Sequence, residues 1–387
     1  MDLPAPFTLL QITPALDTGG VERTTLDIAE AVVKAGGRAF VASRGGRLED
    51  ELKALGGELV RLPMESKNPL VQMGAARALA DLIRTEHVDL VHVRSRAPAF
   101  AGIWAARQTH RPVVTTYHGV YNAKTPLKRW YNGVMTRGDI TIANSDFTRA
   151  HILKTYPKLD PASVVSIPRG VDLRKFDPAV VEPGRVAELK ARFGAAEGRT
   201  LFLLAGRLTR WKGQELAIEA FGMAKMGGAP PISLALAGDD QGRTDYVEGL
   251  KGRIALAGLD DAVRLVGHCT DMPAAYLACD VALNASIDPE AFGRTAVEPQ
   301  AMGRPVVAAD HGGTAETVEA GRTGWLFTPG SATTLAVALT DAALASPQTR
   351  EAMGQAGQAR VRALYSLEVM ARSTLEVYAR LCSRSHA

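Results

Sequence analysis

The sequence predicts an α/β chain of two domains, each built on a parallel sheet. Three observations predict it. Apolar strand-like runs alternate with helical patterns from one end to the other, as βαβ units require. A stretch without periodicity, Phe176-Asp177-Pro178-Ala179-Val180-Val181-Glu182-Pro183-Gly184, interrupts the alternation, and the same pattern then restarts. The length of 387 residues exceeds a usual single core and suits two domains of roughly 180 residues each.

In the first domain, residues 1–178, strands are expected over 7–12, 39–42, 58–62, 90–93, 113–116, 140–143 and 164–167. Between the first two, residues 21–35 place Leu26, Ile28, Ala29, Val32 and Val33 at helical spacing, and Gly36-Gly37 punctuates the end. In the second domain, residues 186–365, strands are expected over 200–205, 232–237, 263–266, 281–284, 305–308 and 324–327, with a helix over 213–221. A last helix over 367–381 lies in a segment, 366–387, expected to pack back across the hinge. Both halves open alike, with a buried strand, a loop of glycine and polar residues, then a helix. Two such domains facing each other would set both loops on a shared cleft, at the carboxyl ends of strands.

Composition excludes several classes. With 46% hydrophobic and 22% charged residues the chain is globular rather than disordered. No run approaches the roughly 18 apolar residues of a membrane span, and no secretion signal is visible at the start. Three cysteines, Cys269, Cys279 and Cys382, have no metal-type spacing. A reduced, cytoplasmic protein is expected. The net charge of +4 is unevenly spread, because no Asp or Glu falls between Asp89 and Asp139. That tract holds Arg94, Arg96, Lys124, Lys128 and Arg129, with Trp130 and Tyr131 following. One reading is a solvated basic face. The other is an anionic partner, either an acidic membrane surface or a phosphorylated acceptor. Nucleic acid is disfavoured, since no DNA- or RNA-binding signature accompanies the charge.

The stretch Asp288-Pro289-Glu290-Ala291-Phe292-Gly293-Arg294-Thr295-Ala296-Val297-Glu298 is the most telling. It reads as a loop turning into a helix, whose free N–H groups suit a diphosphate. Pro299 is expected in the first helical turn, where its missing N–H does no harm. Carboxylates flanking an anion site serve best as acceptors for hydroxyls on either side, a sugar at one end and a ribose at the other. Gly206-Arg207 with Lys212-Gly213 puts two cations on the loop after a buried strand, able to stabilise a leaving diphosphate; ordinary surface cations are the alternative. Gly19-Gly20 follows the first strand and permits close backbone approach; a plain turn is the alternative. It does not match G-x-G-x-x-G, which disfavours a dehydrogenase. His118 lies just past a strand, where a lone histidine has a structural reading as well as a catalytic one. Asp239 and Asp240 read as turn residues before Gly242. No zinc-type ligand cluster is present.

Together these motifs resemble the family 4 retaining glycosyltransferases of the GT-B fold, two Rossmann-like domains across a cleft. The resemblance spans nearly the whole chain and rests on Gly19-Gly20-Val21-Glu22, His118-Gly119, Asn144-Ser145, Ile167-Pro168-Arg169-Gly170-Val171-Asp172, Gly206-Arg207, Lys212-Gly213 and the Glu290/Glu298 pair. Gly312-Gly313 and Gly321-Arg322-Thr323-Gly324 follow in the family's order. It implies an N-terminal acceptor-binding domain and a C-terminal donor-binding domain. Gly19 and Gly20 would approach the donor phosphates, and His118 would border the transferred sugar. Arg207 and Lys212 would bind the diphosphate. Glu290 would hold sugar hydroxyls, helped by backbone amides near Phe292 and Gly293, and Glu298 would bind the ribose. No metal or other cofactor is implied beyond the nucleotide-diphosphate sugar as co-substrate. Arg169 stands where the family usually has Asn; it either reaches an anionic acceptor or is merely tolerated there. Ala291 and Pro299-Gln300 also depart from the usual pattern.

The expected reaction is transfer of a hexose, with retention, to a glycan or glycolipid such as lipopolysaccharide core, at the inner face of the cytoplasmic membrane. Rivals are a nucleotide-sugar 2-epimerase on the same fold and a non-catalytic nucleotide-sugar sensor. The sensor would be expected to lack Lys212 or Glu290, and both are present.

Overall fold

A computed structural model describes residues 3–384 except 4, 18 and 122. The chain divides into two compact units, Met1–Gly170 with Leu367–Ala387, and Val171–Ser366. The division therefore falls at Gly170, ahead of the expected boundary at 178. The reason is packing. Val171 donates its N–H to the Tyr365 carbonyl at 2.8 Å, and Val171, Phe176 and Val181 are buried with Leu189 and Phe193 in the second unit's core.

The first unit carries a seven-stranded parallel sheet. Its strands are β1 (Thr8–Ile12), β2 (Arg38–Ser43), β3 (Glu58–Arg61), β4 (Leu90–Val93), β5 (Val113–Tyr117), β6 (Ile140–Ala143) and β7 (Val164–Ser166), in the order β3-β2-β1-β4-β5-β6-β7. Residues of β1, β4, β5 and β6 are buried along their whole length. That is why, apart from Gln11 and His92, they read as apolar or β-branched runs instead of alternating ones. Helix α1 (Gly20–Lys34) buries Leu26, Ile28, Ala29 and Val32 on the sheet. A short helix, α5 (Pro126–Asn132), starts at Thr125, whose hydroxyl accepts from the Lys128 N–H, with Pro126 in the first turn.

The second unit carries a six-stranded parallel sheet in the order β10-β9-β8-β11-β12-β13. These are β8 (Thr200–Ala205), β9 (Ile232–Ala237), β10 (Val263–Gly267), β11 (Val281–Asn284), β12 (Val306–Ala309) and β13 (Gly324–Phe327). Helix α8 (Gln214–Met226) covers one face through Ala217, Ile218 and Phe221, whose ring meets Phe202 of β8 edge-on. Helix α11 (Arg294–Ala301) follows β11.

After the second unit the chain returns to the first as α15 (Leu367–Arg384). Leu367, Met370, Val377 and Leu381 join the core that holds α1, and Tyr378 stacks on Phe7. The Tyr378 hydroxyl meets His92 Nδ1 at 2.5 Å, so β4 and α15 share a buried polar contact.

Candidate functional site

Strand order reverses between β1 and β4 in one sheet and between β8 and β11 in the other. Loops leaving the carboxyl ends of two such strands run to opposite sides, which opens a crevice suited to a ligand. In the second unit a cavity of about 400 Å³ lies there. Gly206 and Arg207 after β8, Gly238 and Asp239 after β9, His268 after β10, and Tyr276, Arg294, Thr295 and Glu298 line it. Its size falls in the usual range for small-molecule sites.

Arg207 is exposed, and its guanidinium makes no ion pair among the described residues. Its carbonyl is fixed from behind by Gln214 Nε2 at 3.0 Å. Glu298 is the opposite case, only 5% exposed. Tyr276 donates to its Oε2 at 3.1 Å, and Arg294, one turn earlier on α11, donates to Oε1 through Nε at 2.9 Å. Both carboxylate oxygens keep lone pairs for a diol. Glu298→Ala is therefore expected to weaken binding of a diol-bearing ligand with little change in turnover; unchanged calorimetric affinity would remove Glu298 from ligand binding. One expectation needs correction here. Pro299 lies inside α11, beyond its first turn. The Thr295 carbonyl thereby loses its helical donor, in a residue that lines the cavity.

Beside this cavity Lys212 and Glu290 form a shielded pair, with Nζ to Oε1 at 2.7 Å and both side chains 11% exposed. Asn284 Nδ2 at 3.0 Å and Ser286 Oγ at 2.5 Å donate to the same oxygen. Three donors thus converge on Oε1, while no hydrogen bond from the described residues reaches Oε2. That second oxygen is left to accept from a ligand. Asn284 also donates to Thr295 Oγ1 at 2.8 Å, which ties the pair to the cavity wall. Lys212 Nζ further lies 4.3 Å from the centre of the Trp211 ring. Burial alone would raise the Glu290 pKa, but Lys212, Ser286 and Asn284 together take it below the ordinary value of 4.5. A depressed carboxylate pKa stabilises the fold above 4.5, and the contribution is lost as pH falls through the lowered value. Activity should accordingly show no ionisation of Glu290 between pH 5 and 8, to within about a unit. An acid limb in a kcat profile near pH 6 that disappears in Glu290→Gln would contradict this.

Phe292 is buried edge-on against Tyr365 at 5.8 Å, so it offers a ligand its backbone and not its ring. Gly293 takes φ 87° as the cap of α11, a conformation that suits glycine. Asp239 and Asp240 accept from the N–H groups of Gln241 and Gly242, as turn residues do.

In the first unit a second cavity, of about 20 Å³, gathers Arg94, His118, Asn144 and Arg169. Gly19 caps α1 and Gly20 is its first residue, close against the Arg169 guanidinium. Burial, then Arg169 and Arg94, holds the His118 pKa well below 6.5. The structure corrects part of the basic tract. Arg94 is 2% exposed and donates to Gln11 Oε1 at 2.6 Å and 2.9 Å, so it is no surface cation. Arg96 is half-buried, bonded to Asn132 Oδ1 at 2.7 Å and stacked on Tyr121. A tract without acids still folds some arginines inward, because an amide oxygen or an aromatic face can satisfy a guanidinium. Lys124, Lys128 and Arg129 remain exposed, with Leu127 at 74% and Trp130 at 57%.

Sequence reasoning missed Asn284, Ser286, Tyr276, Arg294 and Thr295. Asn284 had a signal: it is the one polar residue of the strand Val281–Asn284 and stands at its carboxyl end. Ser286 and Arg294 act over only four positions, on Glu290 and Glu298, whereas Tyr276 and Thr295 show their role only through contacts the fold creates.

Known proteins share this sequence pattern and fold. A family model described as Glycosyltransferase Family 4 matches residues 18–175, and one described as Glycosyl transferases group 1 matches 186–360. The chain is 30% identical over 308 residues to the D-inositol 3-phosphate glycosyltransferase of Jonesia denitrificans, covering 76% of this chain and 72% of that protein. It matches the crystal structure of a glycosyltransferase from Rickettsia africae with a TM-score of 0.88 and 33% identity, covering 97% of this chain and 99% of that one. It also matches Anabaena HepE in complex with UDP-glucose with a TM-score of 0.78 and 25% identity, over 96% and 99% of the two chains.

Proposed function

Since the chain belongs to the family 4 glycosyltransferases of the GT-B fold, we propose that it transfers a hexose, with retention, from a nucleotide-diphosphate sugar to a glycolipid hydroxyl. Lipopolysaccharide core is one such acceptor. The observation that carries the donor half is the joined site of the second unit. There Arg207, without an ion pair among the described residues, and a buried Glu298 line one cavity, and the Lys212–Glu290 pair is tied to its wall through Asn284 and Thr295. The HepE complex supports a nucleotide-sugar as the ligand of such a cavity.

In this reading Glu298 accepts from the ribose and Glu290 Oε2 from a sugar hydroxyl. Arg207 and Lys212 offset charge as it grows on the departing diphosphate. The bond from the anomeric carbon to phosphate breaks, and the bond to the acceptor oxygen forms. The acceptor's proton passes to the departing phosphate oxygen. No enzymic nucleophile is assigned, and the cationic side chains take the part that a metal ion would play.

The acceptor half rests on α5. Leu127 and Trp130, three residues apart on that helix, present apolar surface, and Lys124, Lys128 and Arg129 flank them. Such a face suits an anionic membrane surface, where Trp sits at the headgroup level and each cation near the surface adds about 1 kcal/mol. Vesicle flotation is expected to require anionic lipid and to weaken with salt. Indifference to both would point to a soluble acceptor, and the phosphorylated inositol in the name of the Jonesia relative makes a soluble phosphate ester the second reading.

A further inference from the structure

The two ring nitrogens of His118 meet different neighbours. Arg169 Nη2 lies 3.1 Å from Nδ1. A guanidinium has only N–H groups to offer and never accepts. The nitrogen facing it carries the lone pair, so a neutral ring holds its proton on Nε2. That Nε2 is out of solvent and has no hydrogen-bond partner among the described residues. His118 and Asn144 both line the cavity of about 20 Å³, which has room for one oxygen atom. Asn144 is 2% exposed and its Oδ1 is likewise without a partner among the described residues, while its Nδ2 donates to the His118 carbonyl at 3.3 Å. An N–H donor and a carbonyl acceptor therefore border a space sized for one oxygen.

The surroundings also keep the ring neutral. Arg94 and His92 approach from β4 and its end, Arg169 from the loop after β7, and Tyr121 from the loop after β5. Helix α15 contributes Met370, Thr374 and, behind His92, the neutral Tyr378. The carboxylate of Asp27 on α1 acts on Arg94, not on His118. Gly20 makes the room for this arrangement. A Cβ there would stand 2.2 Å from Arg169 Nη1, closer than any side chain tolerates.

We infer that Arg169 is a positioning residue: by donating to Nδ1 it locks His118 as the neutral Nε2–H tautomer, so that His118 serves transfer as a hydrogen-bond donor to one oxygen and not as a base. The lock stands on geometry alone. The identity of that oxygen, a substrate hydroxyl or an ordered water, rests on the proposed transfer reaction.

Nitrogen NMR of the full chain labelled at histidine reads the lock directly. The expected spectrum has His118 neutral at pH 6, protonated at Nε2 and bare at Nδ1. Arg169→Lys keeps a donor and should keep that spectrum. Arg169→Leu, and independently Gly20→Ala, should mix the tautomers and move the His118 pKa up towards the ordinary value. In kinetics Arg169→Leu should lower kcat about tenfold, with a new acid limb and little change in donor KM. His118→Gln, a donor that is no base, should lose less than about tenfold, against about a hundredfold for His118→Ala. A proton on Nδ1, or an imidazolium at pH 7, overturns the lock. Equal losses in His118→Gln and His118→Ala overturn the donor role. Full activity in His118→Ala with the expected spectrum assigns the space to water and removes His118 from transfer. A chain with the expected spectrum but no transfer to any sugar acceptor refutes the proposed reaction and leaves the lock standing.

Discussion

Lys212→Ala is expected to reduce turnover by about 10² to 10³, the usual effect of removing one group that meets charge developing in a transition state. Donor KM should move by less than about tenfold, because Arg207 and Glu298 still line the cavity proposed to take the nucleotide. The physical basis is the position of the ammonium. The Lys212 side chain is 11% exposed, its stem runs along Gly206, and its charge is shared with Glu290 Oε1. An ammonium has three donors. One is spent on Glu290 in this structure, which leaves others for phosphate oxygens. The substitution also strips Glu290 of its counter-charge while leaving it buried, so its carboxyl pKa should rise and an acid limb should enter the rate profile. A variant with normal kcat and only a raised KM would show that Lys212 binds the donor without assisting its departure.

Gly213→Ala should be strongly damaging. Gly213 ends the cationic loop at φ 74° and caps α8. A Cβ there would fall 1.9 Å from the carbonyl oxygen of Ala285. Two costs combine, about 1 kcal/mol for the left-handed conformation and more for a backbone clash that no rotamer relieves. Because Ala285 lies between Asn284 and Ser286, relief of the clash moves the loop that carries two donors to Glu290. A fall in unfolding free energy of about 3 kcal/mol or more, with loss of turnover, is expected by denaturant titration and steady-state assay. A variant within 1 kcal/mol of the parent would mean that the two loops are not in contact.

Much of the framework could be read without coordinates. Strands such as Leu90–Val93, Thr200–Ala205 and Ile232–Ala237 end where their apolar runs end. In a parallel sheet covered on both faces each residue is buried, so burial and hydropathy share one boundary. The cationic loop and the Glu290/Glu298 stretch were legible for a related reason. They follow buried strands, and the carboxyl end of a strand is where this architecture puts its ligands. Arg94 is buried and Arg96 half-buried because charge is a property of the residue, whereas exposure is a property of its neighbours. Gln11 and Asn132 satisfy them from 83 and 36 positions away.

By itself, then, the order of residues determined the strands, the helices on their faces, and which loops meet at the carboxyl ends of the second sheet. Those follow from local periodicity and from backbone groups that must be paired wherever they are buried. Only the tertiary structure decided that three donors gather on one oxygen of Glu290, that Arg169 rather than solvent meets His118, and that α15 belongs with the first unit. Hydrogen bonds and ion pairs act over about 3 Å, and residues 78 apart in the chain come within that reach only once the sheet has formed.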